Sequence, residues 1–388
     1  SSRPAPLRSK LPLVGTTIFT TMSKLAAEQQ AINLSQGFPD FDVPAALADM
    51  LSSYVHKGHN QYPPMMGVAY LREQIAVKTQ SLYAAIVDPD TEVTVTSGAT
   101  EALLVAIQAM VHPLDEVIVF DPAYDSYEPA VALCQGVTRH IPLLGPEFSI
   151  DWQRLKDTIN ARTRLLIINS PHNPTGAVLS AADLEQLATL LRDTDIYLLS
   201  DEVYEHMVFD GVAHHSVLSH PELRERAFVV SSFGKTYHAT GWKVGYCIAP
   251  PDMTTEFRKI HQFVTFTTHT PTQWALAEFM EKHPEHYLGL GAFYQTKRDL
   301  FVRHMASSAF KCIPSPGTYF QLADYSAISE MPDTEFAIYL TAVCKVAAIP
   351  VSVFNAAPSE ARLVRFCFAK QDDTLALAAE RLSQLSKV

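Results

Sequence analysis

The sequence predicts an α/β fold, with a mainly parallel central sheet covered by helices on both faces and a smaller α+β lobe attached. Three features predict it. Between about residues 90 and 250, short runs rich in β-branched residues alternate with helical patterns. Those runs are apolar throughout, as strands buried on both faces must be. After about residue 284 the texture changes to a long helical pattern, two strands and a closing helix.

In chain order, EVTVTS reads as a strand and ATEALLVAIQAMV as the helix that follows it. EVIVFD and RLLIINS read as strands, DLEQLATLLR as a helix, and IYLLSDEVY, AFVVSS and KVGYCIAP as further strands. The second lobe offers the long helical pattern EHYLGLGAFYQTKRDLFVRHMAS, strands near GTYFQLADY and LVRFCFAK, and the closing helix TLALAAERLSQL. The first forty-odd residues hold too few elements to stand alone and are expected to pack on that lobe. A chain of 388 residues is long for one core. The expected division is a large domain over residues 45–284 and a small one made of residues 1–44 with 285–388.

The chain is 47% hydrophobic and 18% charged, a globular composition without a disorder signature. Its acidic balance, 30 − 41 = −11, and the lack of a basic cluster argue against a nucleic-acid partner. Five cysteines, odd in number and without a CxxC pair, imply neither a disulfide framework nor a zinc knot, so a reducing cytoplasm is expected. No run of 18 apolar residues occurs and SSRPAPLRSKLP reads as a flexible arm, so no membrane partner is expected.

Ligands of such sheets bind at the carboxyl ends of the strands. The residues standing there are unusually polar. SGAT, with Gly98, Ala99 and Thr100, opens a helix whose free N–H groups suit a phosphate, although taken alone the motif is better explained as a plain helix cap by Ser97 or Thr100. Asp201 follows a very apolar strand, so its buried carboxylate needs a cation or donors; a structural ion pair would serve. NSPHNPTG holds Asn173 in a rigid turn. In SFGKTYHATGWKVG, Lys235 stands where burial is costly unless something neutralises or bonds it. A molecule carrying a phosphate, a basic ring nitrogen and an aldehyde would satisfy all of these, with Tyr124 at hand for its ring. Pyridoxal phosphate is such a molecule.

The motifs SGATEAL, DPAYDSYEP, NSPHNPTG, SDEVYEH, SSFGKTYHATGWKVG and LVRFCFAK, with LSQGFPDF and NQYPPMMG upstream, cover nearly the whole chain. In this set and order the sequence resembles the class I and II aminotransferases of the fold-type I pyridoxal-phosphate enzymes, within them the branch of methionine and kynurenine aminotransferases. The resemblance implies that Lys235 holds the cofactor as a Schiff base and then moves the Cα proton, and that Asp201 pairs with the ring nitrogen. It implies that Asn173 and Tyr204 bond the ring's phenolic oxygen and that Tyr124 stacks on its face. Gly98, Ala99, Thr100, Ser232 and Lys243 would hold the phosphate; Lys243 stands where many relatives have arginine and lacks its planar fork. Tyr62 would reach the phosphate of a neighbouring subunit, making a homodimer with a shared site.

Arg365 would clamp the substrate carboxylate, helped by Asn173 and the Gly37 backbone. The alternation of VRFCF equally allows a surface arginine. With no second arginine identified for a distal carboxylate, and Ile18, Phe19 and Phe354 offered for the side-chain pocket, the expected substrate is apolar or aromatic. Methionine leads, before phenylalanine, tyrosine, histidine and kynurenine, with ping-pong transfer to a 2-oxo acid. A carbon–sulfur β-lyase on the same scaffold is the alternative. Other chemistries find less support: S-x-x-K lacks its companion motifs, the P-loop glycine is replaced by Val229, no GxGxxG follows a strand, and no HExxH helix offers a metal site.

Overall fold

The computed structural model describes residues 3–386. Its central sheet has seven strands: β1 (Val93–Thr96), β2 (Glu116–Asp121), β3 (Val137–Pro142), β4 (Thr163–Asn169), β5 (Tyr197–Asp201), β6 (Ala227–Ser232) and β7 (Gly245–Ile248). They lie side by side in the order β1-β7-β6-β5-β4-β2-β3. Only β7 runs against its neighbours, β1 and β6. Every residue of β1 and β2 is buried, which explains why their sequences are dominated by valine, isoleucine and threonine without an exposed face.

The sequence pattern misses β3. This strand lies at the sheet edge beside β2, and its residues are mostly exposed or half-buried, so VTRHIP never forms the apolar run that marks a covered strand. The long helical pattern after residue 284 divides into Pro284–Leu288 and Leu290–Met305, meeting at Gly289.

A second sheet packs beyond the carboxyl ends of the first. It contains β8 (Phe320–Asp324), β9 (Ile349–Pro350) and β10 (Leu363–Cys367) in the antiparallel order β9-β10-β8. The N-terminal segment is tied to this region: Ile32–Asn33 pairs parallel with Val346–Ala347, and the Cys367 N–H donates to the Leu34 carbonyl at 2.8 Å. One apolar core, from Leu47 to Met280, packs on one face of the main sheet, and another, from Ala102 to Phe257, on the opposite face. A third gathers Leu34, residues around Tyr204 to Phe209, and the chain from Tyr287 to Leu382. Each fully buried large aliphatic or aromatic side chain there contributes about 1.5–3 kcal/mol. Among the described residues no helix is long and apolar enough to cross a membrane.

Candidate active site

A cavity of about 740 Å3 opens at the carboxyl ends of the central strands, roofed by the second sheet and the segment around Gly37. Sheet register builds its floor. Asn169 at the end of β4 stands opposite Asp201 at the end of β5, and Ser232 at the end of β6 stands opposite Gly245. The chain turns into a short helix, Phe233–Thr236, immediately after β6, which swings Lys235 into the same space.

The Lys235 ammonium donates to the Gly37 carbonyl at 2.9 Å and to the Tyr319 hydroxyl at 3.1 Å. Burial pushes its pKa down to about 8, and the nearby Arg365 and Lys243 charges act the same way. Asp201 is 4% exposed. Its carboxylate accepts from the Tyr127 hydroxyl at 2.6 Å and from the Val203 N–H at 3.4 Å, and among the described residues no cation bonds to it. Desolvation therefore outweighs these donors and pushes its pKa up to about 6.

Arg365 is fully buried, which excludes the surface position that the alternation of its strand allowed. The reason lies in the tertiary structure: Val364 to Cys367 are all buried, because both faces of β10 are covered. One terminal nitrogen donates to Asn173 Oδ1 at 2.8 Å and the other to the Ser35 carbonyl at 2.8 Å, while Nε has no partner among the described residues. The guanidinium lies 3.8 Å from the centre of the Phe320 ring. Among the described residues no carboxylate pairs with it, so a buried cation faces the cavity uncompensated.

The N-terminus of the helix Gly98–Met110 forms the opposite wall. Ser97 makes no capping hydrogen bond, so the simple cap is not what this serine supplies. Gly98 has φ +80°, and a Cβ there would lie 3.0 Å from Lys243 Nζ, so the glycine makes room for the ammonium beside the free N–H groups. Ala99, Thr100, Ser232 and Lys243 line the same end. Helix dipole, backbone donors and a cation converge as an anion requires.

Tyr124 and Tyr204 also line the cavity, and burial pushes the Tyr124 phenol up to about 12. Phe19 lines it too, but Phe354 does not: it sits behind Phe19, with ring centres 5.8 Å apart, and with Ile18 belongs to a small core around Met22 and Ile349. Gly37 faces Lys235 with its carbonyl, an acceptor, where the sequence suggested help for a carboxylate. Tyr62 lies outside this chain's cavity, 84% exposed, with its ring edge-on to Phe266 at 5.2 Å.

Sequence reasoning gave no role to Tyr127, Tyr319 or Asn169. The demand of a buried Asp201 for donors was legible, but its phenol comes from 74 residues away. Asn169 is the residue that turns the NSPHNPTG loop: its amide donates to the Asp201 carbonyl at 2.9 Å and its oxygen accepts from the Asn173 N–H at 2.9 Å.

The family model described as Aminotransferase class I and II matches residues 29–382. The chain is 54% identical to the methionine aminotransferase of Escherichia coli (strain K12), over 97% of this chain and 98% of that protein. It is 36% identical to kynurenine–oxoglutarate transaminase 3 of Rattus norvegicus, over 94% of this chain and 87% of that protein. The crystal structure of YbdL from Escherichia coli, identified with a methionine aminotransferase function, superposes with a TM-score of 0.97 at 54% identity, covering 98% of this chain and all of that one. Its fold, a mostly parallel sheet ending in an anion cradle, a lysine and a buried arginine, is thus the fold-type I arrangement, and the chain belongs to the class I and II aminotransferases.

Proposed function

We propose that this transaminase uses pyridoxal phosphate to move the amino group of an apolar or aromatic amino acid, methionine foremost, to a 2-oxo acid by a ping-pong mechanism. One observation carries the reading: a buried arginine without a counter-ion, a carboxylate without a cation and a lysine of lowered basicity face one cavity. Each is an unmet demand. A substrate carboxylate would answer Arg365, and a cationic ring nitrogen would answer Asp201.

The residues present fit the cofactor. Gly98, Ala99, Thr100, Ser232 and Lys243 would hold its phosphate, Tyr124 its ring face, Asn173 and Tyr204 its phenolic oxygen, and Lys235 its aldehyde carbon. When bound, it supplies an electron sink for the charge formed at the substrate Cα. Lys235, with a pKa near 8, has a neutral fraction able to take the Cα proton at ordinary pH. Arg365 orients the carboxylate so that Cα faces that amine, and Phe19, Phe38, Leu103 and Phe320 leave an apolar wall for the side chain. Lys24, the remaining cation of that wall, is largely exposed and lies 3.8 Å from Glu28, so water and that carboxylate screen its charge.

Large aromatic side chains left in solvent support a homodimer with a shared site. Tyr62 and Phe263 are 84% and 86% exposed, and Thr265 contacts Ser97 at 3.4 Å, next to the anion cradle. Two cores that lie wholly between Leu47 and Met280 support a large domain of residues 45–284, with a small one of 1–44 and 285–388 whose core also takes in Tyr204 to Phe209, and five free cysteines suit the reducing cytoplasm.

Initial rates with methionine and a panel of 2-oxo acids test the reading. Parallel double-reciprocal lines and the 2-oxo acid of methionine are expected. Aspartate turning over faster than methionine, or pyruvate and ammonia formed from cystathionine without an acceptor, would overturn it.

A further inference from the structure

Tyr319 is fully buried, comes from the second lobe, and touches the amine of Lys235. Its own hydroxyl proton is spoken for, since it donates to the Gly37 carbonyl. Burial pushes the phenol's pKa well above its ordinary value, so that proton stays on oxygen. Toward Lys235 the hydroxyl is therefore an acceptor, as the Gly37 carbonyl is.

A neutral amine has two N–H bonds and one lone pair. With one N–H on the Gly37 carbonyl at 2.9 Å and the other on the Tyr319 oxygen at 3.1 Å, the lone pair points away from both, toward the rest of the cavity wall. Both acceptors are rigidly placed. The Arg365 and Lys370 side chains pin the backbone on either side of Gly37, through the Ser35 carbonyl at 2.8 Å and the Phe38 carbonyl at 2.9 Å. Tyr319 is packed edge-on against Tyr204, Tyr294 and Phe320, and its own carbonyl accepts from the Phe368 N–H at 2.9 Å.

We propose that Tyr319 is a positioning residue for the catalytic amine: together with the Gly37 carbonyl it occupies both N–H groups of free Lys235 and aims the nitrogen lone pair into the cavity. This rests on reading Lys235 as the base that takes the Cα proton. It also couples the second lobe to the chemistry, because Tyr319 immediately precedes β8 and Gly37 belongs to the segment that Arg365 holds. A substrate carboxylate seated on Arg365 thus shares a support with the group that orients the base.

The test compares the wild type, Tyr319→Phe and Lys235→Ala. In the holoenzyme, Tyr319→Phe is expected to lower kcat about tenfold, one hydrogen bond's share, with KM changed less than about twofold. The isotope effect with α-deuterated methionine should rise, because proton transfer has become slower relative to the other steps. A second readout needs no turnover. In the full-length protein freed of cofactor, the pH dependence of reductive methylation at Lys235, read by peptide mass spectrometry, should move to lower pH in Tyr319→Phe, since an acceptor that favours the ammonium is gone. Fluorotyrosine at position 319, which keeps the shape but weakens the oxygen as an acceptor, should give intermediate values of both and covers the case in which the phenylalanine variant fails to fold. Wild-type kcat, isotope effect and methylation profile in either substituted protein would overturn the role of Tyr319. A fully active Lys235→Ala would overturn the reading of Lys235 itself, whatever Tyr319 does.

Discussion

Two carboxylates four positions apart in the chain, Asp201 and Glu205, are 4% and 6% exposed, yet they meet opposite surroundings. Glu205 is answered in full. Burial alone would raise its pKa, but the Lys78 ammonium at 3.2 Å and hydrogen bonds from the Ser231 hydroxyl and the Tyr83 phenol, the latter at 2.7 Å, hold it well below the usual carboxylate range. Lys78 also donates to His206 Nε2 at 3.2 Å, and burial with that neighbouring cation pushes the imidazole down to about 3, so it stays neutral. Asp201 has one phenol and one backbone N–H, and its pKa rises to about 6. A completed ion pair is structural and needs nothing more. An unfinished one, kept dry beside a lysine and an arginine, is the electrostatic mark of a site prepared for a ligand.

The harshest way to break this comparison is to remove the answering cation. Lys78→Met leaves Glu205 buried and unpaired and is expected to cost about 3–5 kcal/mol in urea unfolding. A loss below about 1 kcal/mol would mean that the pair is screened like a surface one.

Asp201→Asn should behave in the reverse way. Turnover is expected to fall about 100- to 1000-fold, the share of a group placed to stabilise developing charge. Unfolding free energy should not fall, because Tyr127 and Val203 can still hydrogen-bond the amide and the amide buries no charge. A stability loss as large as that of Lys78→Met would erase the distinction. The pH dependence of the cofactor-free protein sharpens it further. The folded pKa of Asp201 is raised from 3.8 to about 6, so the folded state holds this proton longer than the unfolded chain. Its contribution is fully present below the unfolded value and is lost as pH rises through about 6. The stability of the wild type relative to Asp201→Asn should therefore fall between pH 4 and 6. Glu205, with its lowered pKa, contributes with the opposite sign, and that contribution is lost only as pH falls below the usual carboxylate range.

The smallest effect is expected at Tyr127. Tyr127→Phe removes one donor to Asp201 at a cost of about 1 kcal/mol, and should move the same pH window upward. An unchanged window would show that the phenol does not hold the carboxylate down.

Much of the architecture was legible because burial leaves a local trace. Strands covered on both faces are rich in β-branched and apolar residues, and six of the seven central strands announced themselves in that way. The seventh, β3, is an edge strand whose half-exposed residues remove the signal. The polar residues at the strand ends marked the floor of the cavity, and the family motifs assigned the Lys235, Asp201 and Arg365 positions before any geometry was known.

Partnership was not legible, because no local pattern encodes it. Arg365 sits in a run that alternates enough to lie on a surface, and only the packing on both faces of β10 buries it. Phe354 has the right chemistry for a pocket wall and stands one layer too deep. The sequence by itself determined which strands are covered on both faces, which turns are rigid and where chemistry gathers, since these follow from hydrophobic period and backbone restriction within a few neighbours. Tertiary structure alone decided that Tyr127 answers Asp201, that Gly37 and Tyr319 hold Lys235, and that among the described residues no carboxylate pairs with Arg365. Those pairings join groups 74, 198 and 84 residues apart, where charge and hydrogen-bond complementarity act through space and the order of the chain imposes no rule.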